Sequence, residues 1–122
     1  MAEKATILVI DDEPIVGEAL MTVLSDCGYE VEVVRTGREG LDKARKQRFD
    51  FTITDLRLPD ISGLEVLAGI RESVPRSAVI VITAYSTPEM LAESVRLGAI
   101  AVLAKPFFPA DVLGLLDKSA KE

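Results

Sequence analysis

The chain lacks histidine entirely, and Cys27 is the one cysteine among its 122 residues. Without histidine, neither a Ser-His-Asp nor a Cys-His catalytic arrangement can form. A zinc site would have to rest on Cys27 and carboxylates, which is not a usual zinc ligand set. A disulfide within the chain is excluded because it needs two cysteines. The chemistry of the chain must therefore use carboxylates, hydroxyls, lysine or arginine.

Basic residues are fewer than acidic ones: the chain has 14 Lys and Arg and 20 Asp and Glu, which gives a net charge of −6. This balance argues against direct nucleic-acid binding through the phosphate backbone. The apolar runs at residues 78–84 and 97–104 are far too short to span a membrane, and the first residues do not form a signal peptide. We therefore expect a cytoplasmic protein with a single domain over residues 1–122. Residues 118–122 are either a tail or the start of a linker.

Short apolar runs alternate with longer segments of helical periodicity. The runs predict strands at residues 6–10, 31–34, 49–54, 78–82 and 100–104. Strands that alternate with helices form a parallel sheet covered on both faces. Polar residues alternate through 30–33, which predicts an edge strand. The continuously apolar first and fourth runs predict central strands, and the burial of the third is left open.

Several residues mark where the helices begin and end. Glu13 and Pro14 suit the start of a first helix, whose apolar stripe ends at Cys27 and which Gly28 terminates. Gly98 similarly ends the fourth helix, and the fifth is predicted over residues 109–119. Three further helix starts are predicted by pairs with the spacing of a capping box: Thr36 with Glu39, Ser62 with Glu65, and Ser86 with Glu89.

Polar side chains follow the predicted strands at the edge where an open α/β sheet binds its ligands. Asp11, Asp12 and Asp55 follow the first and third strands, Thr83 the fourth and Lys105 the fifth. Taken singly, each is more simply a helix cap, a turn residue or a solvated charge. Three clustered carboxylates, however, repel one another unless a cation lies among them. Mg2+ fits, because it shares its ligand shell between carboxylates and phosphate.

These residues lie in motifs that resemble the receiver domain of two-component response regulators over nearly the whole chain. The motifs stand in family order and spacing at residues 9–13 (VIDDE), 54–63 (TDLRLPDISG), 82–84 (ITA) and 103–107 (LAKPF). The resemblance implies a flavodoxin-like (βα)5 fold with a five-stranded parallel sheet of order 2-1-3-4-5 and helices on both faces.

The resemblance also implies a metal site and a phosphoacceptor. Asp55 would take a phosphoryl group from a histidine on a sensor histidine kinase or a histidine phosphotransfer domain. Asp12, Asp55 and the backbone carbonyl of Arg57 would ligate Mg2+, and Asp11 would act through a water or at longer range. Such a domain is not a conventional enzyme, although it catalyses its own phosphoryl transfer and the slow hydrolysis of its aspartyl phosphate.

The phosphoryl group would be held by residues of the fourth and fifth strand ends. The resemblance assigns its oxygens to Thr83 and Lys105, with backbone amides near Leu56, Arg57 and Ala84, and it implies a cis Lys105–Pro106 bond. Arg57 and Tyr85 occupy the two positions that tune hydrolysis in the family. Both are bulky, and we expect them to slow the loss of phosphate.

The output surface would comprise the fourth helix, the fifth strand and the fifth helix, through which the chain could form a homodimer. Val102 stands where the family usually has an aromatic residue, and valine is too short for the usual threonine–aromatic coupling. Phe108 stands where an aspartate cap is common, and it serves either as a hydrophobic staple or as a partner-facing residue. Gly114 costs the last helix about 1 kcal/mol relative to alanine.

Three rival functions fit the sequence less well than this one. A Mg2+-dependent phosphohydrolase usually has a second aspartate two residues after its nucleophile, where this chain has Arg57. A degenerate receiver that acts only as an interaction module would not need the acceptor-site residues, all of which are present. A flavin or nucleotide binder would need a glycine-rich loop after the first strand, where the chain is acidic.

Overall fold

A computed structural model describes residues 5–74, 77–84 and 87–120, of which 119 and 120 are described by backbone alone. Over these residues five strands alternate with five helices. The strands are β1 (Thr6–Ile10), β2 (Glu30–Val34), β3 (Phe51–Asp55), β4 (Ala78–Thr83) and β5 (Ala101–Ala104). The helices are α1 (Pro14–Asp26), α2 (Gly37–Lys46), α3 (Gly63–Ser73), α4 (Pro88–Arg96) and α5 (Pro109–Ala120).

The sheet is parallel throughout and has the order β2-β1-β3-β4-β5. The predicted fold and strand order are therefore confirmed, with β2 at an edge and β1 and β4 inside. The open question about β3 is also resolved, because all five of its residues are buried. Helices cover both faces of this central strand, so its threonines are buried as well as its apolar residues, and burial does not follow the alternating polarity of the sequence.

Two apolar clusters hold the helices against the two faces of the sheet. One lies between the sheet and α1 and α5, and it includes Ile7, Val9, Leu20, Ile53 and Leu116. The other lies between the sheet and α2, α3 and α4, and it includes Leu8, Ile10, Val66, Leu67 and Val81. Each fully buried aliphatic side chain contributes about 1.5–3 kcal/mol. The polar ends of the strands are thus presented from a rigid sheet.

Helix ends agree with the sequence at some positions and differ at others. Gly28 and Gly98 terminate α1 and α4 with φ of 96° and 101°, a backbone region that favours glycine. Thr36 caps α2 as predicted. The predicted cap of α4 is wrong, because the hydrogen bond from the Met90 amide is accepted by Thr87 and not by Ser86. Ser86 lies outside the described residues.

Two further sequence predictions are corrected by the structure. The sequence pattern places Cys27 in the apolar stripe of α1, but Cys27 follows the last helical residue and is exposed. The third strand was predicted from residue 49, whereas β3 begins at Phe51. Phe49 is buried nonetheless, and the Asp50 carboxylate accepts a hydrogen bond from the Thr6 amide (2.9 Å). Because Phe49 is apolar, the apolar run in the sequence is longer than the regular strand.

No helix among the described residues has both the length and the apolar composition that crossing a membrane requires.

Candidate functional site

The strand register brings the polar strand ends together at one edge of the sheet. Ile10 pairs with Thr54, so Asp11 and Asp55 are neighbours one step further along. Thr83 pairs with Ala104, and the Lys105 amide donates to the Thr83 carbonyl (2.8 Å). Asp55 and Thr83 are the last residues of their strands rather than loop residues. Their backbones are therefore fixed by the sheet.

Lys105 is the cationic centre of this edge. Its Nζ lies 2.7 Å from Asp55 Oδ2 and 3.0 Å from Asp11 Oδ2, and it also donates to Glu13 Oε1. Burial alone disfavours the ammonium, but its hydrogen bonds to the three carboxylates outweigh that effect and raise the pKa of Lys105 above its ordinary value. Lys105 therefore carries its positive charge throughout the physiological pH range.

Glu13 is a site residue that the sequence did not identify as one. It occupies the N-cap position of α1, yet its side chain makes no capping hydrogen bond. Its carboxylate instead contacts Lys105, 92 residues away in the chain. The signal was its position directly after Asp11 and Asp12 at a strand end, but a cap and an ion-pair partner are indistinguishable there without the position of Lys105.

The carboxylates form a compact group of oxygen ligands. One oxygen each of Asp11, Asp12 and Asp55 lies within 4.8 Å of the other two. Asp11 and Asp55 are buried and Asp12 is exposed. Burial raises the pKa of the Asp11 carboxyl, opposed by hydrogen bonds from the Glu13 amide and Lys105. Hard oxygen ligands at this spacing, one of them open to solvent, fit a hydrated divalent cation such as Mg2+.

The backbone after Asp55 is organised around its carboxylate. The Arg57 amide donates to Asp55 Oδ1 (3.1 Å), whereas Lys105 contacts Oδ2. The two carboxylate oxygens are thus held by different groups, which fixes the plane of the carboxylate. The Leu56 amide, which was expected to face a phosphoryl group, donates to the Ile82 carbonyl (3.3 Å).

The remaining predicted residues occupy distinct surroundings. Thr83 is fully buried, and the Lys105–Pro106 bond is cis as expected. Val102 is half-buried and packs with Met90 against the cluster beneath α4. Tyr85 lies outside the described residues.

A groove of about 380 Å³ opens beside Lys105. Its wall combines α1 with the segment that follows β5, and Glu13, Ile15, Pro106 and Phe107 line it. Ile15 is 81% exposed and Phe108 is 76% exposed. Phe108 therefore does not pack as a hydrophobic staple. The start of α5 is held instead by Asp111, whose carboxylate accepts from the Phe108 amide (3.0 Å).

The strand order and the acidic cluster at the carboxyl edge of the sheet are typical of receiver domains of two-component systems, and comparison with known proteins agrees. The family model described as "Response regulator receiver domain" matches residues 7–117. The chain belongs to the response regulator receiver domain family. Receiver domains are signalling switches rather than conventional enzymes, and they generally depend on Mg2+.

Two curated relatives are longer than this chain. It is 39% identical over 108 residues to the response regulator receiver protein Anae109_2439 of Anaeromyxobacter sp. (strain Fw109-5), covering 88% of this chain and 45% of that protein. It is 33% identical over 117 residues to the transcriptional regulatory protein ZraR of Escherichia coli (strain K12), covering 96% of this chain and 26% of ZraR. The chain thus spans less than half the length of these two relatives.

Solved structures share the same architecture. A CheY-like receiver domain protein from Methanospirillum hungatei JF-1 superposes with a TM-score of 0.93 at 32% identity, covering 96% of this chain and 94% of that one. A response regulator from Burkholderia pseudomallei with a phosphorylated aspartic acid and a calcium ion gives 0.85 at 31%, covering 90% and 65%. The beryllofluoride-activated NtrC4 receiver domain dimer gives 0.87 at 30%, covering 93% of each chain.

Proposed function

We propose that this chain is a phosphorylation-dependent switch in which Asp55 accepts a phosphoryl group from a partner phosphohistidine. The observation that carries the proposal is the position of the buried Asp55 carboxylate. It lies 2.7 Å from the Lys105 ammonium and shares a cluster of oxygen ligands with Asp11 and Asp12. A nucleophile, a cation for the phosphoryl oxygens and ligands for a divalent metal therefore stand together at the sheet edge.

The metal would be held by side chains and one backbone group of this chain. We assign Asp12, Asp55 and the Arg57 carbonyl as direct ligands of Mg2+, with Asp11 in support. When bound, Mg2+ supplies positive charge that offsets the repulsion between the acceptor carboxylate and an anionic phosphoryl group. The donor set supports this assignment because it consists entirely of oxygen atoms, which Mg2+ prefers.

Phosphoryl transfer then requires positioning and charge neutralisation rather than a general base. A carboxylate oxygen of Asp55 attacks the phosphorus in line, a P–O bond forms, and the P–N bond to the histidine breaks. The imidazole leaves with the electron pair of that bond and takes a proton from solvent. We assign Lys105 and Thr83 to the phosphoryl oxygens, because Lys105 already contacts Asp55 and Thr83 ends the adjacent strand.

The phosphohistidine must come from another protein or domain, because this sequence has none. We propose that a sensor histidine kinase or a histidine phosphotransfer domain docks over the groove beside Lys105. The exposed side chains of Ile15 and Phe108 provide apolar contacts for it, and the groove wall includes Lys105 itself.

The output surface is proposed to be α4, β5 and α5. The phosphoryl group adds about −1.5 to −2 charge at Asp55, which attracts the Thr83 hydroxyl and shifts the segment leading into α4. Leu91 and Val95 on α4 and Ile100 before β5 are exposed apolar residues, which supports a homodimer through this face. Val102 is too short for the usual aromatic movement, so we place the response in α4 itself.

The proposal is tested by incubating the protein with acetyl phosphate and recording the intact mass with Mg2+ and with a chelator. We expect one phosphoryl adduct that requires Mg2+ and is absent from Asp55→Asn. This matched variant preserves the shape of the side chain but removes the nucleophilic carboxylate. An adduct of equal yield in Asp55→Asn would contradict the assignment.

Hydrolysis of the adduct is expected to be slow because Arg57 and Tyr85 are bulky. Release of phosphate from the purified adduct should be faster in Arg57→Ala and in Tyr85→Ala than in the wild type. Unchanged release in both variants would refute the tuning role.

A further inference from the structure

Asp60 connects the segment that follows the phosphoacceptor to a different helix. We call residues 56–62, between β3 and α3, the acceptor loop. Asp60 Oδ1 accepts a hydrogen bond from the Gly37 amide (2.8 Å), and its Oδ2 accepts one from the Arg38 amide (2.9 Å). Gly37 and Arg38 are the first two residues of α2. One carboxylate thus binds two consecutive amides more than 20 residues away in the chain.

These two hydrogen bonds are stronger than ordinary loop contacts. The first amides of a helix have no partner within the helix, and a carboxylate at that end gains from both the ionic hydrogen bonds and the helix dipole. Desolvation opposes ionisation of Asp60, but the amides of Arg38, Gly37 and Ile61 lower its pKa below the ordinary value. Asp60 is therefore an anion at neutral pH, as this contact requires.

The usual cap of α2 is already supplied by another residue. Thr36 Oγ1 accepts from the Glu39 amide (3.2 Å), so α2 has a cap from its own segment and a second from the acceptor loop. The Thr36 contact holds the helix alone, whereas the Asp60 contact holds the helix and the loop together. This difference separates a stabilising role from a positioning role.

The helix that Asp60 binds is itself fixed to the strand that carries the acidic residues. Gly40 of α2 lies against the Ile10 side chain, and Asp11 follows Ile10 directly. At the other end of the contact, Asp60 is three residues from Arg57, whose amide binds Asp55. The contact therefore links the backbone around Asp55 to the part of the fold that carries Asp11 and Asp12.

We propose that Asp60 is a positioning residue that sets the acceptor loop relative to the acidic cluster and thereby strengthens Mg2+ binding. The inference rests on the proposed function, in which the Arg57 carbonyl faces the metal. Because Asp60 does not touch the site, its effect passes through the loop backbone. Loss of its two hydrogen bonds leaves the ligand side chains in place but lets the Arg57 carbonyl move.

The test is a calorimetric titration of Mg2+ into wild type, Asp60→Ala, Asp60→Asn and Thr36→Ala. We expect the dissociation constant to rise about fivefold in Asp60→Ala and by a smaller factor in Asp60→Asn, whose carbonyl oxygen still accepts one hydrogen bond. Thr36→Ala is the matched control, because it weakens the same helix without touching the loop, and its dissociation constant should equal that of the wild type. Amide hydrogen exchange across the acceptor loop should accelerate in Asp60→Ala and not in Thr36→Ala.

The possible outcomes distinguish failure of the positioning role of Asp60 from failure of the proposed function. Wild-type affinity in Asp60→Ala, or an equal loss in Thr36→Ala, overturns the positioning role and leaves the proposed function intact. Failure of the wild type to bind Mg2+ overturns both. If Asp60→Ala does not fold, the comparison of Asp60→Asn with Thr36→Ala decides the matter by the same criteria.

Discussion

Substituting Gly63 by alanine tests how tightly the start of α3 packs on the backbone of Asp55. Gly63 is the first residue of α3, and its amide donates to the Leu56 carbonyl (2.9 Å). A Cβ at this position would lie 2.1 Å from the Asp55 carbonyl oxygen and 2.6 Å from the Leu56 Cα. Both neighbours are backbone atoms, so the clash cannot be relieved by rotating a side chain.

The magnitude follows from two opposing effects. Overpacking against an ordered backbone costs about 3 kcal/mol, and the better helix propensity of alanine returns about 1 kcal/mol. Gly63→Ala should therefore lower the free energy of unfolding by about 2 kcal/mol, which corresponds to a fall in Tm of about 8 °C for a domain of this size. Relief of the clash also displaces Asp55, so the yield of acetyl phosphate labelling should fall as well.

The assay is urea unfolding followed by far-UV circular dichroism, with Gly114→Ala as the control. Gly114 lies within α5, and a Cβ there meets nothing within 4 Å. The same substitution should therefore raise the free energy of unfolding by about 1 kcal/mol. Equal stability of Gly63→Ala and the wild type, or an equal loss in both variants, would refute the steric argument.

Three further predictions concern the core, the metal site and pH. Thr52 is buried, and its hydroxyl has no hydrogen-bond partner among the described residues. Thr52→Val should therefore raise the free energy of unfolding, measured by urea denaturation, by about 1 kcal/mol. A loss of stability would contradict this prediction. Mg2+ at tenfold its dissociation constant should stabilise the wild type by about 1.4 kcal/mol, which is measured as a rise in Tm. The rise should be smaller in Asp12→Asn. An equal rise in both proteins would argue against Asp12 as a ligand. The lowered pKa of Asp60 means that its contribution to stability is present above the unfolded pKa and is lost as the pH falls. The difference in urea midpoint between wild type and Asp60→Asn should therefore be full above about pH 5 and shrink as the pH falls below the ordinary aspartate pKa, and a difference that stays undiminished in acid would refute it.

The sequence predicted the fold because its strand and helix patterns are strong and local. Apolar runs gave β1 and β4, polar alternation gave the β2 edge, and glycine marked the ends of α1 and α4. The errors have local causes as well. Thr87 and Ser86 are both good caps, and only the backbone conformation selects Thr87. Phe49 is apolar and buried although one residue, Asp50, separates it from β3, so the apolar pattern begins before the strand does.

The site was predicted in part, because strand ends meet at one edge whatever the loops do. This rule brought together Asp11, Asp55 and Lys105. It could not assign Glu13 to Lys105 or Asp60 to the amides of α2, because both contacts join segments whose distance depends on three-dimensional packing. Asp60, which lies outside the strand ends, leaves no spacing pattern in the sequence.

We propose that Asp55 is the residue that carries the phosphoryl group. The decisive measurement treats the labelled protein with borohydride, which reduces an acyl phosphate to an alcohol, and maps its peptides by mass spectrometry. Homoserine is expected at position 55 after labelling in Mg2+, and unmodified aspartate is expected there when a chelator is present. Homoserine at Asp11 or Asp12 with an unmodified position 55 would contradict it.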